Sequence, residues 1–232
     1  GVPDVVDGVL DPIAWTTGTG DEAATLPFSY RLRSDAGAQA TLDEFFRLCD
    51  ESPAGCAFSG DSATRFDALA ARLLVEPLEI IDPFTGELVL FGYQNLISLA
   101  LGAMYSSFDW PFFGDFLAAL EAAATPAALG AAEQAVWDNL GMIPFPPPYS
   151  NFVEGFFGVA CSDSDNPDGH SFWSTAADDA DAGFGYFGRI WTWASSACAV
   201  WNGVDADRHV GPWDADTANP VLVVGTRFDP AT

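Results

Sequence analysis

Residues 219–232 read "NPVLVVGTRFDPAT", and the fold turns on how this stretch is read. Pro220 to Gly225 form an aliphatic, β-branched run with no polar alternation. That pattern predicts a strand buried on both faces of a parallel sheet. Asp229 follows beyond a turn marked by Gly225 and Pro230. A parallel strand ending in G-x-x-x-D-P carries a carboxylate to the C-terminal edge of a sheet, where α/β folds build their sites. A plain turn aspartate before Pro230 is the simpler alternative.

A parallel strand needs a neighbour, and the other end of the chain supplies a candidate. "PDVVDGVLDPIAW" (3–15) has a short apolar stretch ending at Asp11-Pro12, as a strand leaving a sheet would. "TTGTGDEAAT" (16–25) is a Gly/Thr-rich loop. "TLDEFFRLC" opens on Thr41 with Glu44 three residues on, the spacing of a capping box. "DSATRFDALAARLLVEP" sets Phe66, Leu69, Ala70, Leu73 and Leu74 on one helical face and stops at Pro77. A further helix is expected from Thr125 as cap and Pro126 at its first position. "IPFPPPYS" (143–150) is a proline-rich break between helical groups. "NFVEGFFGVAC" and "GYFGRIWTWASSACAVW" again have helical spacing, and residues 162–185 between them read as loop. The layout is strand, mostly helix, strand. It predicts a portion of an α/β fold in which a helical cap (16–215, with a break near 143–150) is bracketed by core strands in 1–15 and 216–232.

Bulk properties remove several function classes. The 232 residues include 33 acidic and 8 basic ones, every basic residue is arginine, and the formal charge is -25. Such a field repels nucleic acid and anionic membrane surfaces, so neither is expected as a partner. Leu88 to Phe108 is uncharged and long enough to span a bilayer. It contains Gln94 and Asn95 and is flanked by Glu87 and Asp109 rather than Lys or Arg, so it reads as a buried helix.

Four cysteines allow three disulfide connectivities. Proximity favours Cys49–Cys56, leaving Cys161–Cys198; four free buried thiols are the alternative. Disulfides would imply an oxidising compartment and a secreted protein. The first residues carry no signal peptide, as expected of a mature or truncated chain.

Motifs for an elbow nucleophile, a P-loop or a zincin are missing from the sequence: there is no G-x-S-x-G, G-x-x-x-x-G-K-[ST] or H-E-x-x-H. Neither His170 nor His209 lies in a metal-ligand pattern, so no metal or other cofactor is expected. "DSDNPDG" (163–169) approaches a calcium loop, but its third acid is displaced by one residue and the twelfth position is Ser174. It and "DDADAG" (178–183) read as solvated acidic loops.

The closing stretch is similar to the C-terminal signature of the actinobacterial tripeptidyl aminopeptidase-like α/β-hydrolases, secreted serine exopeptidases. "VVDGVLDPIAWTTG" resembles the strand after that family's nucleophile elbow. "MYSSFDWPFFGDFLAALEAA" resembles its Y-x-x-x-x-W-P cap block, and "VACSDS" a cap motif in which a cysteine precedes an acid. The resemblance implies a disulfide-bonded cap, with Asp229 as the triad acid. It also puts the family's serine before the segment matching Gly1 and its histidine after the segment matching Thr232. This chain would then supply cap and acid, and the remainder of the hydrolase core would be its partner. Acyl transfer to the serine, with Asp229 stabilising the imidazolium, is the implied mechanism. The substrate would be a peptide with a free N-terminus, its ammonium met by carboxylates and its side chains by aromatic walls. Glu154 and Asp163 are the candidate carboxylates; Trp110 and Trp173, with Trp191 and Trp193, are the candidate walls. An esterase with the same cap, or a non-catalytic cap that binds peptide or a partner, are the alternatives.

Overall fold

The computed structural model describes residues 4–81, 87–123 and 151–231. Its elements begin with β1 (Asp4–Asp7), α1 (Pro12–Thr16), a 3-10 turn (Glu22–Ala24), α2 (Phe28–Arg31) and α3 (Ser34–Glu51). There follow α4 (Ser62–Val75), β2 (Leu78–Ile81), β3 (Leu88–Phe91), α5 (Tyr93–Met104) and α6 (Trp110–Ala122). The last group is α7 (Phe152–Asp163), α8 (Ser171–Phe184), α9 (Gly188–Trp193), a 3-10 turn (Ser196–Val200) and β4 (Val221–Val224). Thr125, Pro126 and the proline-rich 143–150 lie outside the described residues.

Helix dominates, and the two strands near the ends of the chain are hydrogen-bonded neighbours. β1 and β4 run parallel, Asp4 beside Val221 and Asp7 beside Val224. The Gly8 amide donates to the Val224 carbonyl at 3.1 Å and extends the ladder. The coarse layout of helix bracketed by two parallel strands is therefore present. The expected burial of the closing strand is not: Val221, Leu222, Val223 and Val224 are 44%, 58%, 63% and 43% exposed. Among the described residues the pair has no third strand and no layer covers β4.

The chain divides into two compact units, Gly1–Ala40 with Ser150–Thr232, and Thr41–Tyr149. Residues 16–215 are thus shared between both units, and α3 begins in the first and runs on into the second.

In the first unit Asp11 caps α1, accepting from the Ile13 and Ala14 amides at 2.8 and 3.2 Å, with Pro12 at the first helical position. The core gathers Phe28, Ala160, Trp173 and the Cys161–Cys198 disulfide, with Trp15, Phe157 and Trp193 packed against it. Full burial of a side chain such as Phe28 contributes about 1.5–3 kcal/mol. Several polar groups inside are paired, although the buried Trp191 indole has no partner among the described residues. The Ser29 hydroxyl donates to the Thr192 carbonyl, and the Trp173 indole donates to Ser195 Oγ at 3.1 Å. Residues 171–184, expected as loop, are helical. Trp173, Ala176, Ala177 and Ala180 are buried at helical spacing, while Asp178 and Asp179 face out. α9 then approaches so closely that a Cβ on Gly188 would lie 2.5 Å from the Ala180 carbonyl carbon.

In the second unit, α3 to α6 bury Phe45, Phe66, Leu73, Leu96, Phe116 and Leu120. Phe45 meets Phe113 and Trp110 at ring distances of 5.1 and 5.9 Å, within the range of favourable aromatic contacts. Thr41 does not start a helix. α3 opens seven residues earlier, Thr41 is buried within it, and Glu44 pairs with Arg47. The uncharged stretch 88–108 is not one helix either. Leu88–Phe91 pairs antiparallel with Leu78–Ile81, and α5 starts only after Gly92, whose amide donates to Asn95 Oδ1. No described helix is long and apolar enough to cross a membrane.

Candidate functional site

Asp229 sits five residues beyond the last residue of β4, in a tight turn. The Thr226 hydroxyl donates to Oδ2 at 3.1 Å, and the Ala231 amide donates to Oδ1 at 2.8 Å. Both carboxylate oxygens are thus engaged by the turn, which fixes the carboxylate plane. The turn lies against the first turns of α3: the Ser34 hydroxyl donates to the Ala231 carbonyl at 2.6 Å, and Pro230 is buried. Any Cβ at residue 37 would overlap the Asp229 carbonyl oxygen, so Gly37 is what allows this approach. Asp229 itself is half-buried. Chemically it is a held carboxylate, able to orient a donor but not to attack a carbonyl carbon by itself.

The other candidates do not converge on one place. Glu154 is exposed in the first turn of α7, and Asp163 is its last residue. At 1.5 Å per residue the two carboxylates are separated by roughly 14 Å of helix axis. Trp173 is fully buried and donates to Ser195 Oγ, so it belongs to the core and lines no open wall. Trp193 stacks on His170 at a centroid distance of 6.1 Å.

Trp110 lines an open cavity. This cavity, about 290 Å³, lies within the second unit between the C-terminal half of α3 and the start of α6. Its walls are Phe45, Leu48, Trp110, Pro111 and the Cys49–Cys56 disulfide, with the Ser52 and Ser107 side chains as polar points. The Trp110 indole donates to the Ala103 carbonyl at 3.2 Å, which holds the ring against the cavity. Gly114 lets α6 close on the disulfide, since a Cβ there would lie 2.7 Å from Cys56 Sγ. The spacing Phe45, Leu48, Cys49, Ser52 on one helical face was the sequence signal for this wall.

Both disulfides pair as proximity suggests, Cys49–Cys56 and Cys161–Cys198, and no cysteine is free. The "DSDNPDG" loop is a structural tie. Asp165 pairs with Arg208 at 2.5 Å, and the Phe28 amide donates to Asn166 Oδ1 at 2.9 Å. The described residues hold no group of three His, Cys, Asp or Glu side chains suited to a metal. His170 Nε2 lies 3.1 Å from the Ser196 carbonyl, and His209 stands edge-on to Trp213 at 4.5 Å. Among the described residues neither histidine is hydrogen-bonded to a serine or threonine hydroxyl.

No family model matches the chain, and no curated protein matches it.

Proposed function

We propose that this chain is the helical insertion and the two bracketing strands of an α/β serine hydrolase, an exopeptidase acting on peptides with a free N-terminus, with Asp229 as its triad acid. One observation carries the reading. β1 and β4 pair in parallel although they lie near opposite ends of the chain, and Asp229 follows the carboxyl end of β4 in a turn that holds both of its oxygens. Parallel strands occur in sheets covered on both faces. The exposed Val5, Leu222 and Val223 are the surface that the remaining strands and helices of a hydrolase core would cover. The resemblance of "GTRFDPAT" to the family's acid-bearing segment supports the same assignment. Serine and histidine would come from that core, and the imidazole would take its tautomer and orientation from Asp229.

The reading is tested on this chain assembled with its hydrolase core. Asp229→Asn is expected to lower turnover by about four orders of magnitude with the fold intact. Near-wild-type turnover in a stably folded Asp229→Asn protein overturns the assignment of the acid. A peptidyl substrate should be cleaved only while its amine is free. Equal turnover after N-acetylation would turn the reading toward an esterase.

A further inference from the structure

We propose that Asn202 is a site of spontaneous covalent modification, at which the side-chain amide is lost through a cyclic imide to give aspartate and isoaspartate. The proposal is independent of the hydrolase reading. It rests on which main-chain nitrogens this fold leaves able to react.

The reaction needs a main-chain N–H on the following residue that can reach the side-chain carbonyl carbon, together with solvent access. A following glycine favours it, because no Cβ blocks the approach and the backbone is permissive. Three steps of the described chain pair an Asp or Asn with glycine: Asp7-Gly8, Asp168-Gly169 and Asn202-Gly203. The fold separates them. The Gly8 amide donates to the Val224 carbonyl at 3.1 Å, and the Gly169 amide donates to the Ala199 carbonyl at 3.3 Å. Gly203 makes no such bond among the described residues, and Asn202, Gly203 and Val204 are all exposed outside helix and strand. The remaining described asparagines are poorly placed. Asn166 and Asn219 precede prolines, whose nitrogen has no hydrogen. Leu96, which follows Asn95, donates its amide to the Gly92 carbonyl, and Asn151 precedes the bulky Phe152.

The step balances without a redox partner. The Gly203 nitrogen forms a bond to Asn202 Cγ and gives up its proton, and the side-chain nitrogen leaves as ammonia. Water then opens the imide at either carbonyl. One product is aspartate; the other is isoaspartate, whose main chain is one methylene longer. Each adds a negative charge.

The position gives the change a structural consequence. The segment around Gly203 is tied to α7 on both sides: the Trp201 indole donates to Ser162 Oγ at 3.1 Å, and the Asp205 amide donates to the Ser162 carbonyl at 3.2 Å. A lengthened main chain between two ties that meet at one residue cannot keep both in register.

The folded protein, held at mildly alkaline pH and then peptide-mapped by mass spectrometry with isoaspartate quantified, tests this. The peptide containing Asn202 should gain the mass of an amide-to-acid conversion. Asp7 and Asp168 should stay free of isoaspartate until the chain is unfolded in urea. The aged protein should also lose hydrogen-exchange protection at the Asp205 amide, whereas Asn202→Gln, similarly aged, should keep it. An Asn202 amide that survives in the folded protein, under conditions that convert it in the unfolded chain, overturns the proposal. Isoaspartate forming at Asp7 or Asp168 in the folded state as fast as at Asn202 overturns it too.

Discussion

Arg31 is the residue on which the first unit is hung. Its guanidinium is buried, and it donates to the carbonyls of Ala14, Leu26 and Asp165 at 2.9, 2.6 and 3.0 Å, with longer bonds to Trp15 and Thr16. Burial pushes its pKa down to about 10, which leaves it charged at neutral pH. Among the described residues no carboxylate pairs with the guanidinium; backbone dipoles from three segments satisfy it. Arg31→Lys keeps the charge but loses the fork, and stranded carbonyls cost about 1–3 kcal/mol each. We expect a loss of roughly 3 kcal/mol of unfolding free energy, read from urea melts. Arg47→Lys, in an exposed pair with Glu44 and Glu51, should change stability by no more than about 0.5 kcal/mol. An equal effect at both positions would show that the carbonyl cage is not what matters. Nothing in the sequence marked Arg31, because its partners are main-chain atoms up to 134 residues away.

At the scale of elements, α4 begins where Asp50 reaches across from α3. Ser62 Oγ and the amides of Gly60 and Ser62 donate to its carboxylate, and the Ser62 hydroxyl leads in holding its pKa below the usual range. Further along, Arg65 grips Glu121 of α6 through two parallel bonds, which lowers the Glu121 pKa as well. Both groups are carboxylates depressed in the folded state. Their stabilisation is complete above the unfolded carboxylate pKa, about 4, and is lost as pH falls through the folded values. The urea midpoint should therefore fall between pH 5 and pH 2, and Asp50→Asn with Glu121→Gln should flatten that acid limb. An unchanged limb would place the acid sensitivity elsewhere. Sequence periodicity placed α4 well, since Phe66, Leu69, Ala70 and Leu73 are buried on one face and Pro77 follows its end, although Leu74, expected with them, is exposed. It failed at α3, where a capping pattern at Thr41 and Glu44 fell inside a helix already under way. It failed at 88–91 because a short aliphatic run fits strand and buried helix alike. At 171–184 the acids drew attention away from the buried stripe of Trp173, Ala176, Ala177 and Ala180. Of the candidate site residues, Asp229 lies in the turn after β4 and Trp110 lines a cavity. Trp173 could not be told from a core residue until its burial was known.

For the molecule as a whole, a charge of -25 is a self-repelling field. The arginines described here are already engaged, several of them with nearby carboxylates such as Asp35, Glu121, Asp178 and Asp165. Raising salt from about 0.01 M to about 1 M shortens the screening length from roughly 30 Å to 3 Å. The net effect should be stabilising, on the order of 1 kcal/mol or a rise of about 2–4 °C in Tm. A Tm that falls with added salt would show that the local pairs outweigh the global repulsion. The two-strand pairing also constrains how the molecule comes into being. Residue 4 meets residue 221, so the pairing closes a loop of roughly 200 residues, at an entropic cost of about 5 kcal/mol. Helices and disulfide-closed loops are local and can form long before that. During synthesis at about 5–20 residues per second, β1 would leave the ribosome roughly 10–40 seconds ahead of its partner strand. For that interval β1 waits without the parallel neighbour it has in the folded chain.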